Sequence, residues 1–388
     1  MAAGDWKELF AAAQKGDLEL VKYHIKTGVN PNYQHPEFMC TPLIESIQYQ
    51  QFEVTKYLLE NGADPSIKED FGPHTPLSMA KFKNNQKFIT LVEAHLAKQL
   101  LINHQSNMKK VLVTGGNRGI GKAIAQQLLT ENNAVIITVR KETTGKAVVE
   151  ELKNTTGNSN IQFIQGDLSS IQQCKDLAAK IIDTHPDIKV LINNAGIWMT
   201  EKKLNIDGLE MSFMVNYIAP LILSKALTPI LKKNKPARIV NVNAGLYVTA
   251  NLNVKEIPAG NDFNSMKTYA RSKLCNTMFT IDYAKELEGS GVTINAVHPG
   301  VINTGLGDSP KLMSQLVKVV KRFWKKPEYG AIAPVWLATS LDLEGVNGNY
   351  YNEKKLMPYN EKALDEMQRL YLQKTTDAIL EGSVGSLQ

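Results

Sequence analysis

Tyr269 and Lys273, in the stretch "YARSK", stand four positions apart. On a helix that spacing puts both side chains on one face, roughly 5–6 Å apart between β-carbons. A phenol ionises near pH 10 in water, and an ammonium beside it favours the anion. The pair therefore reads as an acid/base group, Tyr269, with its electrostatic partner, Lys273. A second group lies upstream. "VTGGNRGIG" (113–121) sets Gly115, Gly119 and Gly121 around Asn117, Arg118 and Ile120. Such glycines permit a tight turn that brings backbone N–H groups and a helix N-terminus against a pyrophosphate.

The elements that hold these residues follow from hydrophobic patterning. From Met108 onward, "KVLVTGG", "AVIITVR", "IQFIQGDL", "VLINNAG", "RIVNVNA", "TINAVHPG" and "GVNGNYYN" alternate with segments of helical period. Runs apolar on every residue suit strands buried on both faces. They predict a Rossmann-like α/β domain, a doubly wound parallel sheet of about seven strands over 108–388. The glycine turn follows the first strand and opens a helix marked by Ile120, Ile124 and Leu128. The second strand ends in Arg140 and Lys141, where a dinucleotide site that prefers NAD carries an acid. A guanidinium there pairs with a 2′-phosphate, and Arg118 points the same way, so NADP is the expected cofactor.

Residues 1–97 repeat at an offset of 34. Lys22-Tyr23 recurs as Lys56-Tyr57, Gly28 as Gly62, Pro31 as Pro65, and Thr41-Pro42-Leu43 as Thr75-Pro76-Leu77. A fixed offset signals stacked units that cannot bury their apolar faces alone. "TPLIESIQYQQFEVTKYLLENGADPS" resembles an ankyrin repeat, although Ile44 and Ser78 stand where a histidine is usual. About three repeats are expected in an all-α domain, then a polar linker over 98–107. Recruiting a protein partner, or a structural role against the second domain, are both open for them.

The ordered set "TGGNRGIG", "NNAG" (193–196), "YARSK" and "HPGVINT" (298–304) resembles the short-chain dehydrogenase/reductase family. The tail "KPEYGAIAPVWLA…LEGVNGNYYNEKK" is similar to its retinol dehydrogenase and WW-domain oxidoreductase branch, and the glycine turn equally to carbonyl reductases. The resemblance implies hydride transfer at a carbonyl, with Tyr269 as acid/base and Lys273 gripping the nicotinamide ribose. It implies that Asn216 holds the water through which protons reach Lys273. Asp167 would contact the adenine, Asn194 would sit beside the cofactor, and Thr304 would touch its nicotinamide end. Leu168, Pro299 and Val301 would complete the cofactor wall.

One position departs from the family. The strand before the tyrosine helix usually ends in two hydroxyl residues, the second bonding the substrate oxygen. Here "IVNVNAGLYV" supplies Asn243-Ala244. Losing one such donor typically costs about 10²–10³ in rate. Three readings are open: Asn243 reaches in with its amide, Tyr247 or Thr249 serves instead, or the site binds nucleotide and reduces little. The leading expectation is NADPH-dependent reduction of a lipophilic aldehyde or ketone at an impaired site. The alternative is a catalytically silent NADP-binding interaction module.

Composition narrows the remainder. Of 388 residues, 43% are hydrophobic and 21% charged, as in ordinary globular chains. The net charge of +6 is mild, and no Arg-rich tract with interleaved aromatics suggests nucleic acid. Cys40, Cys174 and Cys275 are isolated and the histidines show no ligand spacing, so no metal is expected. Without a signal-like N-terminus or a long uninterrupted apolar run, a cytoplasmic protein with no transmembrane segment is expected. "KLMSQLVKVVKRFWKK" (311–326) reads as an apolar lid with a solvated basic face. Peripheral membrane contact through that face and a homodimer are left open.

Overall fold

The computed structural model describes residues 6–35, 40–69, 74–302 and 325–382, and the chain divides into two compact units, Met1–Asn107 and Met108–Gln388. The first unit contains helices α1 (Trp6–Lys15), α2 (Leu18–Lys26), α3 (Pro42–Gln48), α4 (Phe52–Glu60), α5 (Pro76–Phe82) and α6 (Gln86–Asn107). The repeated Thr-Pro-Leu is a helix start. Thr41 caps α3 by accepting from the Ile44 N–H, with Pro42 in the first turn. Thr75 and Ser78 form a reciprocal capping box ahead of α5. Capping satisfies N–H groups that have no partner inside the helix, and proline has no N–H to lose there. Successive units are stitched by Asn32, whose side chain accepts from the Asp64 N–H at 2.7 Å and donates to the Gly62 carbonyl at 2.9 Å. Leu9, Leu43, Ile44, Ile47 and Leu58 form the shared core.

The expected linker, residues 98–107, is the end of α6, and the two units divide directly after it, between Asn107 and Met108. The segment contains neither glycine nor proline, so nothing in it stops the helix before Met108.

The second unit is built on an eight-stranded sheet in the order β3-β2-β1-β4-β5-β6-β7-β8. Its strands are β1 (Lys110–Val113), β2 (Ala134–Val139), β3 (Ile161–Gln165), β4 (Val190–Asn193), β5 (Ala237–Val242), β6 (Val292–His298), β7 (Tyr350–Asn352) and β8 (Lys355–Met357). The first seven pair in parallel, and β8 closes one edge antiparallel to β7. The expected doubly wound parallel sheet of about seven strands is thus present, with β8 added as an antiparallel edge. Glu353, with φ 53°, turns the chain at "NEKK", and the edge strand that follows is only three residues long, too short to show an apolar alternation.

Helices cover both faces: α7 (Gly119–Thr130), α8 (Glu142–Thr156), α9 (Ile171–Thr184), α10 (Met211–Phe213), α11 (Ala219–Lys233), α12 (Ser265–Glu286), α13 (Pro327–Thr339), α14 (Glu361–Leu364) and α15 (Glu366–Leu380). Two apolar cores result. One centres on Leu112, Ile218, Leu227, Ile239 and Leu274, the other on Val111, Ile124, Ile137, Ile192 and Val240. The run Met211–Lys233 is long and apolar enough to cross a membrane, but 83% of its most apolar stretch is buried within this core. Alternate residues of each inner strand face opposite cores, which is why these strands are apolar throughout. The sheet order reverses between β1 and β4, and the carboxyl ends of those strands frame the expected crevice.

Candidate active site

A cavity of about 880 Å³ lies at that crevice. Gly115, Asn117, Arg118, Gly119, Ile120 and Gly121 form its floor, and Arg140, Asp167, Leu168, Asn194 and Pro299 continue the wall. Val242, Asn243, Ala244, Tyr269, Lys273 and His298 line its far end. Thr304 and nearly all of the expected lid (311–326) lie outside the described residues. Val301 is 55% exposed and does not line the cavity.

The glycine turn is shaped for close approach. Gly115 has φ +66°, in the left-handed region that side chains rarely adopt. A Cβ on Gly121 would collide with the Gly115 carbonyl oxygen and the Asn194 side-chain amide. The turn is fixed from two strands. Thr138 on β2 accepts from the Gly115 N–H at 3.1 Å, and Asn194 beyond β4 donates to the Thr114 carbonyl at 2.9 Å. Asn194 thus braces the turn as well as lining the cavity. Arg118, Arg140, Lys141 and Thr144 all line this cavity, side chains of the donor type that pairs with a 2′-phosphate. The cradle and its cations fit a dinucleotide phosphate. Thr138, Thr144 and Ser169 line the cavity without having carried a sequence signal.

At the reacting end, Tyr269 and Lys273 lie one turn apart on α12 and are both buried. Burial pushes the Tyr269 phenol well above its ordinary range and lowers Lys273 to about 8. Lys273 Nζ donates to the Val242 carbonyl at 3.0 Å and stands 6.0 Å from the Tyr269 ring centroid. Desolvation therefore outweighs the ammonium here, and Tyr269 is held as a neutral donor.

Asn216 is fully buried within a π-helical segment, Met214–Ile218, a feature that often marks functional positions. Its amide accepts from the Ile197 N–H at 2.8 Å and donates to the Ile197 carbonyl and Ser272 Oγ, both at 2.9 Å. Its own carbonyl accepts from Asn276 Nδ2 at 3.0 Å. Asn216 and Lys273 both flank Gly196, where a Cβ would stand 3.3 Å from Asn216 Oδ1 and 3.7 Å from Lys273 Nζ. Asn216 therefore stands behind the cavity wall and holds the "NNAG" segment.

The candidate stand-ins for the missing hydroxyl are turned elsewhere. Asn243 Nδ2 donates to Thr277 Oγ1 at 2.6 Å and to the Lys273 carbonyl at 3.2 Å, while its Oδ1 accepts from the Ala244 N–H. The Tyr247 hydroxyl accepts from the Asn360 N–H at 3.2 Å, with the ring fully buried. Thr249 donates to the Leu246 carbonyl at 2.8 Å. Neither Tyr247 nor Thr249 lines the cavity. Two other side chains escaped sequence reasoning. His298 lies beside Gly245, its Nδ1 buried without a hydrogen-bond partner among the described residues, and burial lowers its pKa. Trp198 lies flat on Tyr269, with ring centroids 4.7 Å apart and planes 9° apart.

Known proteins share this arrangement. The short chain dehydrogenase family model matches residues 109–313, and ankyrin repeats, in three copies, match residues 9–106. Retinol dehydrogenase 14 of Homo sapiens is 34% identical over 278 residues, covering 66% of this chain and 82% of that protein. Retinol dehydrogenase 12 of Mus musculus is 32% identical over 261 residues, covering 67% and 83%. A blue fluorescent protein from a metagenomic library, solved in complex with NADPH, shares 26% identity and a TM-score of 0.51, covering 63% of this chain and 96% of its own. The chain belongs to the short chain dehydrogenase family, as an oxidoreductase related to retinol dehydrogenases that carries three ankyrin repeats at its N-terminus.

Proposed function

We propose that this protein reduces a lipophilic aldehyde or ketone with NADPH, at a site weakened by the methyl group of Ala244. The observation that carries this reading is a single cavity running from Arg118 and Arg140 to the buried Tyr269–Lys273 pair. NADPH, when bound, supplies the hydride. Tyr269, kept neutral by burial, gives its proton to the carbonyl oxygen as negative charge develops there. Lys273 holds the ribose side of the site and carries the positive charge nearest the phenol. Ile197, Met199, Met211 and Val215 give the substrate end an apolar wall. That wall, with relatives called retinol dehydrogenases, supports a lipophilic substrate. The NADPH complex of a structural neighbour supports the cofactor.

The test is NADPH oxidation by the full chain across a panel of aldehydes and ketones of increasing chain length. Weak turnover that rises with apolar length and disappears in Tyr269→Phe is the expected result. The second reading, a nucleotide-binding interaction protein, is favoured by one observation: the Asn243 amide, the nearest candidate among the described residues to replace the donor lost at Ala244, is bound within α12. Tight NADPH binding without turnover of any carbonyl would establish that reading. In either case the repeats are proposed to recruit a protein partner, for which Tyr23, Tyr49 and Phe82 are exposed.

A further inference from the structure

We propose that Trp198 is a positioning residue for the acid/base tyrosine: its indole, pinned by Ser265, lies flat on the Tyr269 ring, fixes the direction of the phenol and keeps water from that face. This inference rests on the reductase reading of the same site. It starts from two hydrogen bonds in series. Trp198 Nε1–H donates to Ser265 Oγ at 2.9 Å, and Ser265 Oγ–H donates to the Met199 carbonyl at 2.7 Å. Ser265 is the first residue of α12, and Tyr269 follows one turn later. The indole is therefore tied to the same helix that carries the phenol, on the turn before it.

Its own segment is equally fixed. The neighbouring residue, Ile197, has both backbone groups bonded to the Asn216 side chain, which also reaches Ser272 on α12. Ser272 Oγ in turn donates to the Tyr269 carbonyl at 2.7 Å. The segment carrying Trp198 is thus anchored to α12 on both sides of Tyr269, and the near-parallel rings close the space between. Aromatic pairs at this separation prefer offset stacking, which favours one relative orientation of the two rings. A phenol 5% exposed owes part of its shielding to this cover. Proton transfer needs the donor within hydrogen-bond reach of the substrate oxygen, so a ring free to tilt would lose reactive geometry.

The test uses full-length protein and two readouts. The first is nitration of Tyr269 by tetranitromethane, mapped by mass spectrometry, and needs no turnover. Trp198→Ala should increase Tyr269 nitration severalfold, whereas Trp198→Phe, which keeps a stacked ring, should protect it as the parent does. The second is steady-state kinetics in the Ala244→Ser background. Trp198→Ala should lower kcat by up to about 10²-fold with little change in KM, and Trp198→Phe should restore most of it. Unchanged nitration in Trp198→Ala, or a rise in KM with kcat intact, overturns the inference. If Ala244→Ser binds NADPH and reduces nothing, the reductase reading fails, and nitration alone decides the role of Trp198. Should Trp198→Ala not bind NADPH and not fold, Ser265→Ala removes the pin while keeping the indole, and the same two readouts apply.

Discussion

Ala244→Ser is the substitution on which the proposed chemistry depends most directly. Ala244 has extended backbone, φ −142° and ψ 141°, which serine adopts without strain. Its N–H is already taken by Asn243 Oδ1 at 2.9 Å, so the backbone around the new hydroxyl is fixed. Ala244 lines a cavity of about 880 Å³. Among the described residues, the three candidate rival donors, Asn243, Tyr247 and Thr249, are bonded elsewhere. A donor aimed at developing negative charge contributes about 2.7–4 kcal/mol, or 10²–10³ in rate. With Tyr269 already in place, kcat should rise by about 10²-fold or more, while NADPH affinity stays constant because the phosphate end is untouched. The assay is NADPH oxidation at saturating aldehyde, with affinity followed by nucleotide fluorescence. Refutation would be an unchanged kcat in Ala244→Ser together with loss of activity in Asn243→Ala. That pair of results would mean the Asn243 amide leaves α12 to serve the substrate.

Three further outcomes are expected. NADPH should bind more tightly than NADH by about tenfold or more, and Arg140→Asp should reverse the order; equal affinities in the parent would remove the role given to Arg140. A chain beginning at Met108 should keep its fold and its NADPH affinity, because each unit has its own apolar core; aggregation or lost affinity by calorimetry would make the repeats structural. Burial lowers Lys273 to about 8 while raising Tyr269, so the ammonium is lost first as pH rises and the phenol keeps its proton. For reduction, kcat/KM should be level below about pH 8 and fall above it, and a profile flat to about pH 10 would contradict this assignment.

The sequence alone determined whatever local rules govern. The glycine turn is legible because a chain that must bend sharply beneath a phosphate tolerates few other residues, and Tyr269 with Lys273 because helical pitch fixes their spacing. The repeats are legible because a 34-residue period is a property of the chain itself. At "AKQLLINHQSN" the polar tail is the end of α6, and the boundary between the two units follows it. Local signals do not reveal β8, because a three-residue edge strand is too short to show alternation. Only the tertiary structure decided what the reacting centre contains. The Asn243 amide is bound to residues 30 and 34 positions away, the Trp198 pin spans 67, and the Asn216 clamp spans 19 and 56. Asn243 has a side chain long enough to act as a donor, and composition cannot say which way it points. Packing β5 against α12 turns its amide into the helix, where an unbonded buried amide would cost more than an absent catalytic donor costs the fold.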